Sequence, residues 1–383
     1  MFLLFGQTCL QGTGGKRMPA FQGESDMHRR NFLWSAAAAL GSAGATSALA
    51  QSSSSDPAGT TPPPRDWDDP SLVVYPDPAM EVFDPRFKKY IAGTTTLRRV
   101  WKGGAWTEGP VYFGDMHCVI FSDIPNNRLL QYDERTGHTT VFRAPSNFTN
   151  GNTRDRQGRL LSCEHGARRV TRTEHTGDIT VLVDSYQGKK LNSPNGVIVK
   201  SDDSIWFTDP TYGIEGNNEG IKAESELPRN VYRIDPKSGQ ISVAVGDFHE
   251  PNGLCFSPDE KKLYISDTAA PPSVIRVFDV ADDGKLSNDR VFHDMKDLDG
   301  GLADDMRVDV DGNLWCAGGW SSNKNFNGVS VYAPDGTPLG RIVLPEVAGN
   351  LCFGGLDHRH STLYITASHS LYAYNVNTRG VEL

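Results

Sequence analysis

Three scarcities in this chain each exclude something. Basic residues do not outnumber acidic ones: 38 Lys and Arg stand against 47 Asp and Glu, a formal net charge of −9 with no compensating basic block. That balance excludes nucleic acid and anionic membrane as main partners. No stretch of about 20 strongly apolar residues is present, so no stable membrane anchor is expected. Cysteine is sparse, six in 383 residues, and no pair has a zinc or redox spacing. Cys9 falls in a segment expected to be removed. Cys118, Cys163, Cys255, Cys316 and Cys352 are then an odd set in apolar, strand-like runs such as Gly-Leu-Cys-Phe, which reads as small buried hydrophobes rather than a disulfide framework. What is abundant is glycine and proline, 39 and 23 residues, as a fold with many tight turns requires.

The N-terminus reads as an address. His28-Arg29-Arg30-Asn31-Phe32-Leu33 precedes a weakly apolar, Ala-rich stretch from Trp34 to Ala50 that ends in Ala48-Leu49-Ala50. Paired arginines, a short apolar stretch and a small-x-small ending make a twin-arginine export signal over 1–50, with delivery to the periplasm or outside. Met27 sits immediately before the signal, so residues 1–26 read as an upstream start. Residues 51–66, with Ser-Ser-Ser-Ser-Asp and Thr-Thr-Pro-Pro-Pro, form a flexible linker. Residues 67–95 are an N-terminal extension, and 96–383 the main domain.

That domain repeats itself. A unit of polar residue, short apolar strand, polar turn and second strand begins at Glu108, Asn152, Asn195, Asn252, Asp304 and Asn350. The second strands read Cys118-Val-Ile-Phe-Ser-Asp, Leu160-Leu-Ser-Cys-Glu, Ile205-Trp-Phe-Thr-Asp, Leu263-Tyr-Ile-Ser-Asp, Leu314-Trp-Cys-Ala and Leu363-Tyr-Ile-Thr-Ala. Alternation gives these and the third strands period two. Anchors 43 to 57 residues apart suit four-stranded blades with variable loops, and six copies predict an all-β, six-bladed β-propeller. Residues 96–106 precede the first anchor and read as a strand completing the last blade.

In a propeller the first strand of each blade lines the axis, so the six anchors converge on a central channel. Any one Asn or Asp before Gly is an ordinary turn former, but Glu108 and Asp304 are not especially good at the same turn. Two carboxylates buried together repel unless a cation holds them. All-oxygen ligation with neutral amides selects a hard divalent ion, Ca²⁺ first, with Mg²⁺ or Mn²⁺ as alternatives. Asp309-Val-Asp311-Gly-Asn mimics the start of an EF-hand loop, yet the twelfth position is Trp320; it reads as a hairpin turn.

The motifs Glu108-Gly-Pro-Val, Asn150-Gly-Asn-Thr with Cys163-Glu-His-Gly, Ser193-Pro-Asn-Gly with Trp206-Phe-Thr-Asp-Pro, Pro251-Asn-Gly-Leu and Met306-Arg-Val-Asp-Val-Asp-Gly-Asn-Leu-Trp run in order from about Trp101 to the C-terminus. Together they resemble the gluconolactonase branch of the SMP-30/gluconolactonase/luciferin-regenerating family. The resemblance implies an axial Ca²⁺-type metal and hydrolysis of sugar lactones, such as glucono-1,5-lactone, to aldonic acids. By position it implies Glu108, Asn195, Asn252 and Asp304 as metal ligands, with Asp304 also serving as base. Where the family often has Pro-Asp-Gly-Met this chain has Ala303-Asp304-Asp305-Met306, and alignment on Met306 selects Asp304 over Asp305. A metal-bound carboxylate is a weakened base, so Asp209 and Asp267, each ending a second strand near the same rim, are further catalytic candidates; the competing reading is a strand-end turn. Asn152, His165 and Asn350 are candidate substrate contacts, His165 being equally readable as structural. Trp320 and Tyr212, in Gly-rich loops, are either sugar-stacking rings or ordinary aromatics. Two other activities remain open: a related esterase or organophosphate hydrolase, and a binding module that uses calcium only for rigidity.

Overall fold

The period-two runs form the strands expected of them, and the strands close a ring. A computed structural model describes residues 74–269, 272–298, 301–357 and 360–381. Residues 1–50, expected to be an export signal, residues 51–66, expected to be a linker, and residues 67–73 lie outside the described residues. Four-stranded antiparallel sheets are built in chain order from Thr107–Phe113, Cys118–Asp123, Arg128–Asp133 and Thr139–Arg143 (blade 1) onward. The first strands of the remaining blades are Thr149–Arg154, Val197–Val199, Pro251–Phe256, Leu302–Val308 and Ala348–Gly354. Each first strand packs beside that of the next blade, and the sixth returns to the first. The result is a six-bladed propeller.

Closure uses the N-terminal side of the domain. Arg98–Lys102 pairs antiparallel with Ser370–Asn375 and completes blade 6, with Arg99 opposite Tyr372 and Trp101 opposite Leu371. This is the role expected of residues 96–106. The extension does more than tether. Met80–Val82 adds a fifth strand to blade 5 against Pro338–Val343, and Pro85–Lys89 forms a 3-10 turn that buries Phe87 beside Trp315, ring centroids 6.2 Å apart. Gly340 permits that approach, since a Cβ there would sit 2.2 Å from Cδ1 of Phe87. Blade 5 thus has its edge covered, while the outer strands of blades 1 to 4 expose Phe142, Val181, Val243 and Val291.

Second strands are buried on both faces because neighbouring blades clamp them, and they read as continuous apolar runs. Aromatic pairs fill the wedges between blades: Trp206 edge-on to Phe256 at 5.6 Å, Trp315 to Phe353 at 5.7 Å, and Tyr112 stacked on Tyr364 at 6.2 Å. The five described cysteines are buried and form no disulfide, with burial pushing the Cys118 thiol up to about 12. Asp309 caps its own hairpin: it accepts the amides of Asp311 and Asn313, and Trp315 Nε1–H, within 2.9–3.0 Å.

Candidate active site

Five of the six blades break the pairing of their first and second strands at one place. The register between first and second strands slips between Glu108 and Val111, Thr149 and Asn152, Pro251 and Leu254, Ala303 and Met306, and Ala348 and Asn350. In blade 3 the strand begins at Val197, just after Asn195-Gly196. A bulge of this kind re-aims a side chain that regular alternation would bury. Hydroxyls of the preceding blade's second strand fix three of these positions: Ser122 donates to the Asn150 carbonyl (2.6 Å), Thr208 to that of Asn252 (2.7 Å) and Ser266 to that of Asp304 (2.7 Å). The recurrent Ser or Thr before the strand-end Asp is therefore an inter-blade rivet.

The re-aimed side chains line a hollow of about 200 Å³ at one mouth of the channel. Its walls include Glu108, Asn150, Asn195, Asn252 and Asp304, with Trp106, Trp320, Tyr212, Thr268 and Glu219 toward the rim. All four residues implied as ligands are brought together here. Asp305 is not: its Oδ1 accepts from Arg307 Nη1 at 2.8 Å and the Met306 amide at 2.7 Å, and its Oδ2 accepts from Asn350 at 2.7 Å. Gly349 is the bulge residue of blade 6, and a Cβ there would lie 1.9 Å from Oε1 of Glu108. The missing side chain is the space into which Glu108 leans.

Two anchors were misregistered by sequence alignment. Asn152 sits behind the hollow, donating to the Gly109 carbonyl (2.9 Å) and Ser122 Oγ (2.9 Å) and accepting from Ser162 Oγ (2.7 Å). Asn350 donates to Asp305 and accepts from the Leu351 amide. Neither lines the hollow; the bulge moves that place to Asn150 in blade 2 and to Gly349 in blade 6. The signal for blade 2 was present, since Asn150-Gly151 matches Asn195-Gly196 and Asn252-Gly253.

The strand-end carboxylates face elsewhere. Asp209 Oδ2 accepts the Asn192 amide at 2.8 Å, and burial raises this carboxyl to about 8 against the pull of the Asn192 and Ser193 amides. Asp267 accepts the amides of His249 and Glu250, both at 2.9 Å, and borders a different surface hollow. His165 lies beneath the rim rather than in it. It is fully buried, and burial lowers its pKa to about 4, so the ring is neutral and its Nδ1–H donates to the Glu219 carbonyl at 2.9 Å. Gly213 rests on the same ring, where a Cβ would come within 2.5 Å. His165 is thus a strut under loop 212–220.

Charge in the hollow is one-signed. Burial first, and then the Asp305 carboxylate, raise Glu108 to about 8. Burial and the field of Glu108 push Asp304 well above the carboxylate range. Burial also raises Glu219. No Lys, Arg or His lines the hollow, and among the described residues none of these three carboxylates makes an ion pair. Among the described residues no group of three or more His, Cys, Asp or Glu is set to hold a metal by itself; the donor set here depends on its carboxamides. Two buried carboxylates with amide oxygens and no cationic side chain fit a hard divalent cation.

Comparison with known proteins identifies the family. Residues 106–369 match the SMP-30/Gluconolactonase/LRE-like region. A gluconolactonase of Zymomonas mobilis is 28% identical over 319 residues, 78% of this chain and 86% of that protein. A 6-deoxy-6-sulfogluconolactonase of Pseudomonas putida is 26% identical, over 68% of this chain and 82% of its own length. The solved structure of a Xanthomonas campestris gluconolactonase superposes with a TM-score of 0.71 at 35% identity, covering 78% of this chain and 94% of that one.

Proposed function

The chain belongs to the SMP-30/gluconolactonase/LRE-like family, and from that premise we propose that it opens a sugar lactone of the glucono-1,5-lactone type to the aldonic acid with the help of a divalent cation, Ca²⁺ first. It is a lactone-hydrolysing enzyme, as its gluconolactonase and sulfogluconolactonase relatives are by name. The observation that carries the finer reading is the set of carboxylates and carboxamides in one small hollow that no Lys, Arg or His lines. Glu108, Asn195, Asn252 and Asp304 would hold the cation. When bound, it supplies Lewis acidity at the ester carbonyl and charge stabilisation as that carbon becomes tetrahedral.

The protein's own side chains do the rest. A hollow of about 200 Å³ is smaller than the roughly 300–1,000 Å³ usual for drug-sized ligands, which suits a single sugar ring. Trp106 and Trp320, ring centroids 5.2 Å apart, form an aromatic wall against which the apolar face of such a ring stacks. The hydrogen-bonded hydroxyls of Tyr212 and Thr268 and the Asn150 carboxamide offer partners for sugar hydroxyls. A carboxylate of the hollow accepts the proton of the attacking water.

The twin-arginine signal assigns this activity to the periplasm or outside, and among the described residues no helix is long and apolar enough to cross a membrane. Hydrolysis of glucono-1,5-lactone and of pentonolactones by purified protein, with and without EDTA, tests the function. Turnover untouched by thorough chelation would remove the cation. No turnover of any aldonolactone with calcium bound would leave the binding module. N-terminal sequencing of exported protein tests the leader, with Gln51 the expected start.

A further inference from the structure

Opening a lactone with water needs a group that takes the water's proton, and the carboxylates around the axis are not equally free to do it. Asp305 is locked by Arg307 and Asn350. Asp267 spends both oxygens on backbone amides, and Asp209 turns one to Asn192; neither lines the hollow. Glu108 and Asp304 are in the candidate cation set, and a carboxylate engaged by a cation is a poorer base. Glu219 is left. It lines the hollow with them, near enough for its charge to act on both Glu108 and Asp304. Among the described residues its side chain has neither a hydrogen bond nor an ion pair.

Glu219 is also firmly placed for a loop residue. Its carbonyl is held by His165. The next residue, Gly220, packs so closely on Gly213 that a Cβ would lie 2.0 Å from the Gly213 carbonyl oxygen. Lys222 N donates to Asn217 Oδ1 and Ala223 N to the Ile214 carbonyl, at 2.9 and 3.0 Å. A loop tied at this many points holds the Glu219 backbone at one place on the rim, which limits where its carboxylate can reach.

We propose that Glu219 is the general base of the reaction and that His165 is the residue that positions it. The inference rests on the lactonase reading above and deepens it. Glu219 takes one proton from water as the water oxygen bonds to the lactone carbonyl carbon, and the carbonyl electron pair moves onto its oxygen. When that pair returns, the bond from the carbonyl carbon to the ring oxygen breaks, and the ring oxygen takes the proton from Glu219. Lactone and water are consumed, one hydroxy acid is formed, and Glu219 is again a carboxylate.

The test uses the full mature protein as wild type, Glu219→Gln, Glu219→Ala and His165→Ala. Steady-state opening of glucono-1,5-lactone is followed in a pH-stat, and calcium affinity is measured by calorimetry on chelator-stripped samples. In Glu219→Gln, kcat is expected to fall about 10²–10⁴-fold, with KM and calcium affinity little changed. Added formate is expected to restore part of the activity of Glu219→Ala but none to Glu219→Gln, whose amide fills the space. In His165→Ala, kcat is expected to fall with calcium affinity kept, and formate gives no rescue because Glu219 is still present. Near-wild-type kcat in Glu219→Gln would overturn the proposal, as would a calcium affinity that falls in step with turnover, which would make Glu219 a ligand. Wild-type protein that binds calcium yet opens no aldonolactone would overturn the lactonase reading itself, before any substitution is made.

Discussion

Two rings of carboxylates crown the same end of this propeller, and they differ in their partners. The outer ring ends the second strands. Asp123 accepts the Ala105 amide and pairs with Arg128, both at 2.8–2.9 Å; Glu164 pairs with Arg169 at 2.7 Å; Asp267 holds two backbone amides. The inner set, Glu108 and Asp304 buried on the bulges with Glu219 half-buried on the rim loop, has no cationic partner among the described residues. The outer carboxylates staple each loop to its blade. The inner ones are left in a state that the chain alone does not stabilise, and a buried acid kept in that state is a candidate for chemistry.

Substituting across the two rings should break this symmetry most visibly in turnover. Glu108→Gln is expected to lower kcat/KM on the order of 10³-fold while raising the Tm of chelator-stripped protein above about pH 8, where it removes a buried charge. A lowered Tm in that sample would place Glu108 among the staples. The pH dependence carries the same contrast. Glu108 is raised from its usual range to about 8 in the folded chain, so the folded state binds more protons than the unfolded one between about 4.5 and 8. Stability of the stripped protein is present below that range and lost as pH rises through about 8. Saturating calcium is expected to flatten the Tm profile, and Glu108→Gln to flatten it without calcium.

For the outer ring the expected effect is on stability alone. Asp267→Ala leaves the His249 and Glu250 amides without their acceptor, at a cost of about 1–3 kcal/mol, and turnover well below the new Tm is expected to stay close to wild type. A collapse of kcat in a folded Asp267→Ala protein would return Asp267 to the catalytic set.

The fold was legible because each blade is a local pattern repeated: apolar second strand, hydroxyl rivet, strand-end Asp. The convergence of Glu108, Asn195, Asn252 and Asp304 on one hollow was legible for the same reason, each standing at the head of its copy. Asn152 and Asn350 were misplaced because a bulge changes which residue faces the axis, and linear alignment does not register a bulge. Blade 6 hid its anchor altogether, since Gly349 contributes only space. Glu219 left no signal, because it lies on an insertion outside the repeat, where neither period nor motif points to the axis. The extension's fifth strand was also hidden, its three residues being too short to show period two.

The smallest effect is expected at the aromatic wall. Trp320 is 55% exposed and adopts φ of 65°, a left-handed conformation that costs a bulky residue energy and suits glycine. Packing does not require the indole there, for much of it faces solvent. If it stands there for stacking, Trp320→Gly removes one face of the wall and relieves the backbone at once. KM for glucono-1,5-lactone should rise about 3–10-fold, the equivalent of a stacking contact of ~0.5–1.5 kcal/mol, with kcat nearly unchanged because the carboxylates are untouched. Tm should hold or rise slightly, since glycine accepts this φ without strain. Were KM to stay constant while Tm fell, Trp320 would be a packing residue of the 318–328 loop, and sugar recognition would pass to Tyr212 and Thr268 across the hollow.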